Sequence, residues 1–328
     1  MKQFWREAGL AVILGMIVPA VILHIVAISS HHYAVKPKEP DISSENAEVM
    51  VEIPVLNSDG RVIVLDLDTY LTGVLLAEMP ASFQPDALMA QAVVARTYAL
   101  RYYEGKSKHE SAAVCTDSAC CQGHCDTQTY LSQGGKQEDI KKIASAVRMT
   151  QNLVLTYEDQ LIDATYFSCS GGSTEDAVAV WGTEIPYLRA TDSPGEEEAN
   201  HYTDTVTFTP EQLENQLGID LTGSPETWFS EPTYTAGGGV DTIEICCVPF
   251  QGTELRKLLQ LRSTAFTVTT DNMGVTFHTK GYGHRVGMSQ YGADAMAEGG
   301  SNFEQILHHY YQGTQLQQYI IDKEESVG

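Results

Sequence analysis

The chain of 328 residues can hold one large domain or two medium ones, and 43% of its residues are hydrophobic. That share supports a packed core and excludes a chain that is disordered throughout. The formal net charge of −23 argues against nucleic acid and anionic membrane surfaces as partners, because like charges repel. An acidic substrate would need a local basic groove, for which Arg96, Arg101 and Arg285 are candidates.

A membrane-spanning helix is predicted near the N-terminus. The apolar run 8–28 has 21 residues, and a helix needs about 20 to cross a bilayer core. Lys2 and Arg6 precede the run, so the positive-inside tendency predicts a single-pass protein of the cell membrane with a cytoplasmic N-terminus. A cleaved signal peptide is the alternative, although the run is longer than a usual signal region. The predicted parts are a cytoplasmic tail over 1–7, a transmembrane helix over 8–28, a polar linker over 29–48, an extracytoplasmic folded region over 49–320 and a tail over 321–328.

The folded region is predicted to begin with a β-hairpin and two helices. Apolar runs on both sides of a turn at 57–60 are typical of a hairpin. Asp68 or Thr69 can cap the first helix, which must end before Pro80. Pro85 suits the first position of the second helix, whose narrow apolar stripe consists of Leu88, Ala92, Ala95, Ala99 and Tyr102.

Glu78 ends an apolar face of the first helix, which also carries Leu71, Val74 and Leu75 at helical spacing. If this face packs inward, the Glu78 carboxyl is partly desolvated at the rim of a core, and its pKa is raised. A raised pKa suits a general acid near neutral pH. A solvated glutamate in a helical hairpin is the alternative for this stretch alone.

Four cysteines and two histidines lie within 17 residues of a segment that spans 108–130. They are His109, Cys115, Cys120, Cys121, His124 and Cys125. Thiolates and imidazoles at this spacing suit a tetrahedral zinc site, and four protein ligands leave no position for a reactive water, so such a metal is structural. Disulfides are the alternative in an extracytoplasmic compartment, and the residues alone leave both open.

Two segments, 166–174 and 281–292, contain glycines next to polar and aromatic side chains. Paired glycines stand next to hydroxyl residues in 166–174, and four glycines are interleaved with Tyr, His, Arg and Gln in 281–292. Such segments let the backbone approach a ligand and let polar groups converge on it. A sugar polymer suits these hydroxyl groups and the faces of Tyr166 and Trp181.

Further elements frame these segments. Helices are predicted over 138–149, 210–217 (capped by Thr209 and closed by Gly218), 253–261 and 303–311, hairpins over 152–167 and 266–279, and a strand over 241–249. We therefore expect an α+β fold in which a helical hairpin and several β-hairpins form two lobes around a substrate groove.

Several spaced motifs together resemble the stage II sporulation protein D family. They lie at 76–80 (Leu-Ala-Glu-Met-Pro), 90–93 with 95–99, 170–174, 187–188 with 193–194, and 281–292. The resemblance covers about 51–316 and includes the N-terminal anchor. It implies a lytic transglycosylase that acts on peptidoglycan during engulfment of the forespore, from the septal or engulfing membrane of the mother cell.

The resemblance also implies roles for individual residues. Glu78 takes the position of the catalytic acid. The residues predicted to bind or orient the sugars are Arg96, Tyr166, Ser170, Thr174, His284, Gln290 and Tyr291. Clostridial-type members bind zinc through a His, Cys, His, Cys set, which corresponds here to His109, Cys115, Cys120 and Cys121. Cys120 stands in place of the second His, with His124 or Cys125 as substitutes.

One carboxylate is chemically sufficient for this reaction. A hydrolytic glycosidase generally uses two. N-acetylmuramic acid carries its own nucleophile, so one Glu can protonate the glycosidic oxygen and then take the proton of the 6-hydroxyl as a 1,6-anhydro ring closes. Asp86, Glu175 and Asp176 are candidates for a second carboxylate.

Other functional classes remain as alternatives. A noncatalytic wall-binding module that enhances an amidase is the first of them. A zinc peptidase or amidase is the second, but it would need an open metal site, and the segment lacks the His-Glu-x-x-His pattern. The expected partners are peptidoglycan strands without stem peptides, a cell-wall amidase and a membrane partner of the engulfment machinery.

Overall fold

The computed structural model describes residues 51–271 and 274–320. The predicted cytoplasmic tail, transmembrane helix, linker and C-terminal tail lie outside these residues. Within the described ranges, no helix has both the length and the apolar character to cross a membrane. The described residues belong to one compact unit of helices and small sheets, so the expected α+β class is confirmed, while the division into two lobes remains a prediction.

The elements of the described residues are numbered in chain order. The helices are α1 (Leu67–Glu78), α2 (Pro85–Arg101), α3 (Thr127–Ser132), α4 (Gln137–Met149), α5 (Ala177–Trp181), α6 (Pro210–Leu217), α7 (Gly252–Leu258), α8 (Gln290–Glu298) and α9 (Phe303–Tyr310). The strands are β1 (Glu52–Leu56), β2 (Val62–Asp66), β3 (Val114–Cys115), β4 (Leu153–Tyr157), β5 (Gln160–Leu161), β6 (Tyr166–Phe167), β7 (Thr203–Phe208), β8 (Thr242–Ile245), β9 (Val248–Gln251), β10 (Phe266–Asp271), β11 (Gly274–Lys280), β12 (Met288–Ser289) and β13 (Gln315–Gln318).

The first hairpin leads directly into α1. β1 and β2 pair in antiparallel register as predicted, and β3 extends the sheet on the other side of β1. Asp66 caps α1 by accepting a hydrogen bond from the Thr69 N–H at 2.9 Å, so the prediction of Asp68 or Thr69 as the cap is wrong. Met79 is extended, as expected for the residue before Pro80.

α2 is the central helix of the larger core. It begins at Pro85 as predicted, but it has no narrow stripe, because its residues from Ala87 to Leu100 are all buried. α1, α4, α8, α9 and β4 pack around it. A helix surrounded in this way buries its whole circumference, which small alanines permit.

The two glycine-containing segments meet through one short parallel sheet. β6 pairs with β12, with Tyr166 opposite Met288 and Phe167 opposite Ser289. The predicted hairpin over 152–167 therefore continues only as far as β5, while the following residues pair with a distant strand. This pairing places 166–174 beside 281–292.

A smaller hydrophobic core lies within 208–277. The predicted hairpin of β10 and β11 is confirmed, and β7 joins it. α6 has the predicted capping box at Thr209 and ends at the left-handed Gly218. The predicted single strand over 241–249 is wrong: β8 and β9 form a hairpin that turns at Cys246 and Cys247, with φ angles of 47° and 68°.

Candidate active site and metal cluster

Glu78 lies in a cavity of about 850 Å³. It is the last residue of α1, because Pro80 prevents the helix from continuing. Four predicted sugar-binding residues line the same cavity. They are Tyr166 on β6, His284 in the 281–292 segment, and Gln290 and Tyr291 at the start of α8.

The Glu78 carboxyl is held in a partly desolvated position. Its Oε1 accepts a hydrogen bond of 2.6 Å from the backbone N–H of Gly123. Burial raises the pKa of Glu78 and outweighs the opposite effects of Gly123, the Tyr166 hydroxyl and the Gln290 amide. The predicted raised pKa is confirmed in direction, and a neutral carboxyl can donate a proton to a substrate oxygen.

A chain of buried polar groups supports this carboxyl from behind. The Gln122 Nε2 donates to the Tyr166 hydroxyl at 3.2 Å, and the Tyr70 hydroxyl donates to the Gln122 Oε1 at 3.2 Å. Gln122 is fully buried. The neighbouring residues Gln122 and Gly123 thus fix both Tyr166 and Glu78.

His284 is a neutral member of an aromatic wall. Its ring lies 5.6 Å from Phe167 and 5.5 Å from Trp181, measured between ring centroids. Its Nδ1 accepts a hydrogen bond from the Val286 N–H at 3.1 Å. Burial, together with the charge of Arg256, lowers the pKa of His284 to about 4, so the ring is uncharged at neutral pH and suits packing against a sugar.

Gln290 brings an unpaired donor into the cavity. Its side chain is buried, and its Nε2 makes no hydrogen bond within the described residues. The amide also lies close enough to Glu78 to lower the pKa of its carboxyl, so a ligand oxygen bound beside Glu78 would meet this donor as well.

The four predicted metal ligands lie together and are called the Cys/His cluster below: His109, Cys115, Cys120 and Cys121. Their ligand atoms all lie within 4.8 Å of one another. The His109 Nε2 is 3.4 Å from the Cys121 Sγ and 3.7 Å from the Cys120 Sγ, and the two sulfurs are 3.9 Å apart. A tetrahedral zinc ion with bonds of about 2.0–2.3 Å separates its ligand atoms by about 3.5–3.8 Å. These residues therefore fit a zinc ion.

The alternatives for this segment are less well supported by the structure. All seven cysteines are unpaired. His124 stacks on Tyr70, with ring centroids 5.6 Å apart, and neither His124 nor Cys125 belongs to the cluster. Cys120 and Cys121 also line the cavity that holds Glu78, so the cluster borders the candidate active site.

Comparison with known proteins decides the family. The family described as Stage II sporulation protein (SpoIID) matches residues 57–157. A Bacillus subtilis (strain 168) protein named stage II sporulation protein D is 34% identical over 330 residues, which is 96% of this chain and 96% of that protein. The chain belongs to the stage II sporulation protein D family. A protein of the same name from Bacillus amyloliquefaciens is 36% identical over 274 residues, covering 82% of this chain and 79% of that protein.

A differently named relative is also similar to this member of the stage II sporulation protein D family. An amidase enhancer of Bacillus subtilis (strain 168) is 30% identical over 307 residues. The alignment covers 76% of this chain and 40% of that protein.

In this stage II sporulation protein D family member, Arg96 supports the fold instead of lining the cavity. Its guanidinium is buried and donates to the carbonyl oxygens of Val147 at 2.9 Å, Thr150 at 2.7 Å and Leu153 at 3.3 Å. Asp68 lies 3.8 Å away. The prediction that Arg96 binds sugars is therefore corrected, because its donors are occupied inside the larger core.

Ser170 and Thr174 are also interior residues. The Ser170 Oγ donates to the buried Glu196 carboxylate at 2.9 Å, and the Thr174 Oγ1 accepts from the Thr191 N–H at 2.9 Å. Neither lines the cavity. Their hydroxyl groups shape the 166–174 segment, and the prediction that they contact sugars is corrected.

The predicted basic groove is replaced by one lysine. Arg101 donates to the Leu161 carbonyl at 2.5 Å, and Arg285 is buried in an ion pair of 3.0 Å with Glu175. Lys108 lines the cavity instead, with its Nζ 2.6 Å from the Cys120 carbonyl oxygen and over the ring of Tyr102. No helix or strand was predicted for the segment that contains Lys108, so the sequence did not indicate that this side chain reaches the cavity.

A second carboxylate is present in the cavity, but at an unpredicted position. Asp86 accepts from the Phe303 N–H and Asp176 from the Ala190 N–H, and both, like Glu175, lie outside the cavity. Asp163 lines the cavity, and its Oδ1 makes no hydrogen bond within the described residues. Burial raises the pKa of Asp163 despite the nearby charges of Arg101 and Lys108.

Proposed function

We propose that this protein is a membrane-anchored lytic transglycosylase that cleaves peptidoglycan glycan strands during sporulation engulfment. The observation that carries the proposal is the position of Glu78, a carboxyl of raised pKa in a cavity of about 850 Å³. This residue also takes the catalytic position that the family resemblance implies. The volume lies within the range of about 300–1,000 Å³ that is usual for ligand pockets.

Glu78 acts first as an acid and then as a base. In its neutral form it protonates the oxygen between N-acetylmuramic acid and N-acetylglucosamine as that bond breaks. The carboxylate then takes the proton of the muramic 6-hydroxyl, whose oxygen bonds to the anomeric carbon and gives the 1,6-anhydro product. The Gly123 N–H stabilises the carboxylate at this stage, because a hydrogen bond to the charged form favours it.

The other cavity residues bind and orient the sugars. The neutral His284 ring, Trp181 and Tyr291 offer faces for the C–H groups of a pyranose ring, and the unpaired Gln290 Nε2 can donate to a substrate oxygen. The Tyr166 hydroxyl stays next to Glu78 through its hydrogen bond with Gln122. One carboxylate is enough, since the substrate supplies the nucleophile.

A structural zinc ion fits this proposal. His109, Cys115, Cys120 and Cys121 would hold it, and the ion supplies a cross-link within 109–121. The cross-linked segment leads directly to Gln122 and Gly123, which contact Tyr166 and Glu78. A bound ion would therefore order the residues that position the acid.

The location and the partners are part of the same proposal. The apolar run 8–28 anchors the protein in the cell membrane with its N-terminus in the cytoplasm, and the described residues act outside, at the septal or engulfing membrane. The substrate is peptidoglycan strands from which an amidase has removed the stem peptides. A membrane protein of the engulfment machinery is the second partner, and the charge of −23 argues against nucleic acid.

A noncatalytic wall-binding module is the second candidate function. One relative is named an amidase enhancer, and the alignment with it covers 76% of this chain. In this alternative the cavity binds glycan strands without cleaving them and brings a partner amidase to the wall.

Product analysis separates the two functions. The full chain, its Glu78→Gln variant and an exposed control variant, Glu254→Gln, are incubated with peptide-free glycan strands, and the products are weighed by mass spectrometry. We expect anhydro ends from the wild type and the control, and a loss of at least about 100-fold in the Glu78→Gln variant. Strand binding without cleavage in all three proteins would favour the wall-binding module, and reducing ends would indicate a hydrolase.

A further inference from the structure

A second depression of about 410 Å³ lies next to the cavity that contains Glu78. Trp181 lines both of them. Helix α5, which ends at Trp181, forms one side of the depression, and residues 240–241, just before β8, together with residues of β9 and α7 form the other. A ligand that extends past Trp181 from the cavity therefore enters this depression, called the distal depression below.

The distal depression presents an aromatic ring and unoccupied polar side chains. Trp181 is 42% exposed, although most tryptophans are largely buried. The side chains of Asp241, Gln251 and Thr253 make no hydrogen bond with any described residue. An exposed aromatic face combined with free donors and acceptors complements a pyranose ring, which has C–H groups on its faces and hydroxyl groups at its edge.

The polar side of the distal depression is held in place by a close backbone contact. The Gly252 N–H donates to the Asp241 carbonyl oxygen at 2.9 Å. A Cβ at Gly252 would lie 1.9 Å from the Val240 carbonyl oxygen, so no larger residue fits there. This contact keeps Asp241, Gln251 and Thr253 on one side, facing α5.

The charge of the distal depression restricts which sugar it accepts. Among the described residues that line it, Asp241 is the only charged one. A carboxylate there repels the acidic lactyl group of a muramic sugar and accepts hydrogen bonds from neutral hydroxyl or amide groups. The favoured occupant is therefore an uncharged N-acetylhexosamine.

We propose that the distal depression is a second saccharide subsite, which binds a neutral N-acetylhexosamine of the same glycan strand that occupies the Glu78 cavity, with Trp181 between the two sugars. This inference rests on the proposed glycan-binding function of the cavity. If the distal depression is a subsite, tight binding requires a glycan strand long enough to reach it from the Glu78 cavity. A short oligosaccharide fills only the cavity.

The test measures binding in a protein that does not cleave. Trimers and hexamers of N-acetylglucosamine are titrated into the full chain carrying Glu78→Gln, with and without the double substitution Gln251→Ala/Thr253→Ala. We expect the hexamer to bind more tightly than the trimer. The double substitution should weaken hexamer binding by about 5- to 30-fold, from one or two lost hydrogen bonds, and leave trimer binding unchanged.

The control is Gln133→Ala, which removes an exposed glutamine remote from both depressions and should not alter either affinity. Equal affinities for trimer and hexamer, or hexamer affinity that is unchanged by the double substitution, would overturn the subsite. If the proposed transglycosylase function is wrong, the result is different. The wild type then produces no anhydro ends from glycan strands, whether or not the hexamer binds more tightly than the trimer.

Discussion

The backbone N–H of Gly123 lies 2.6 Å from the Oε1 of Glu78, although the two residues are 45 positions apart. Gly123 follows Cys121 of the Cys/His cluster by two residues. The segment that fits a metal ion therefore contacts the proposed acid through its own backbone. Changes in this segment should affect cleavage without altering Glu78 itself.

Gly123→Ala should reduce cleavage at least about 10-fold, because displaced catalytic geometry is costly. An added Cβ would lie 2.8 Å from the Glu78 Oε1, which forces the carboxyl to move. Rates of anhydro-product formation by the full chain measure the effect. Gly299→Ala is the control, since its Cβ meets only ordinary contacts at 3.4 Å. Equal losses in both variants would contradict the contact as the cause.

Metal removal should lower both stability and cleavage. A chelator leaves the four ligands of the Cys/His cluster without their cross-link, so 109–123 loses its order and Gly123 no longer holds Glu78. Thermal unfolding and product formation are measured before chelation, after it and after zinc is restored. Cys115→Ser should resemble the chelated protein, and the exposed Cys247→Ser should resemble the wild type. Full activity in verified metal-free protein would contradict this prediction.

Glu78→Gln should increase stability at neutral pH. Burial raises the folded-state pKa of Glu78 above its unfolded value, so the contribution of this group is fully present below the unfolded pKa and is lost as pH rises through the folded pKa. Glutamine does not titrate and still accepts the Gly123 hydrogen bond. The difference in free energy of unfolding between variant and wild type should grow from acidic to neutral pH in denaturant titrations. A constant difference over this range would show that Glu78 has an ordinary pKa.

The pH dependence of cleavage should follow the same group. Glu78 must be protonated to donate to the glycosidic oxygen, so the rate should fall as pH rises through its raised pKa. The neutral His284, whose pKa is lowered to about 4, should contribute no change between pH 6 and pH 8. His284→Gln should therefore lower the rate without moving the alkaline limb of the profile. A shift of that limb in His284→Gln would assign the titration to the histidine.

Arg96→Met should destabilise the protein by about 3–5 kcal/mol, the usual cost of breaking a buried charged network. The substitution leaves the carbonyl oxygens of Val147, Thr150 and Leu153 without their donor. The folded fraction should bind glycan strands as the wild type does, because Arg96 does not line the cavity. Arg148→Met, at an exposed position, is the control. Weakened binding with normal stability would restore the sugar-binding role that the sequence suggested.

The sequence alone determined the local elements and the chemistry of two residue groups. Pro80 and Pro85 set the ends of α1 and α2, and the Thr209 capping box set α6, because proline geometry and capping act within a few residues. The position of Glu78 at the end of an apolar face predicted its raised pKa. The density of cysteines and histidines in 109–125 indicated zinc or disulfides, and the family resemblance implied the set His109, Cys115, Cys120 and Cys121 that the structure brings together.

Only the tertiary structure decided which polar residues reach the cavity. The resemblance implied that Arg96 binds sugars, but α2 is surrounded by other elements, so the Arg96 guanidinium bonds to carbonyl groups more than 50 positions away. The parallel pairing of β6 with β12 brought Tyr166, His284 and Gln290 together, and the approach of 122–123 to α1 supplied the partners of Tyr166 and Glu78. Helical and strand periodicity describe neighbours along the chain, whereas these contacts depend on how distant elements pack.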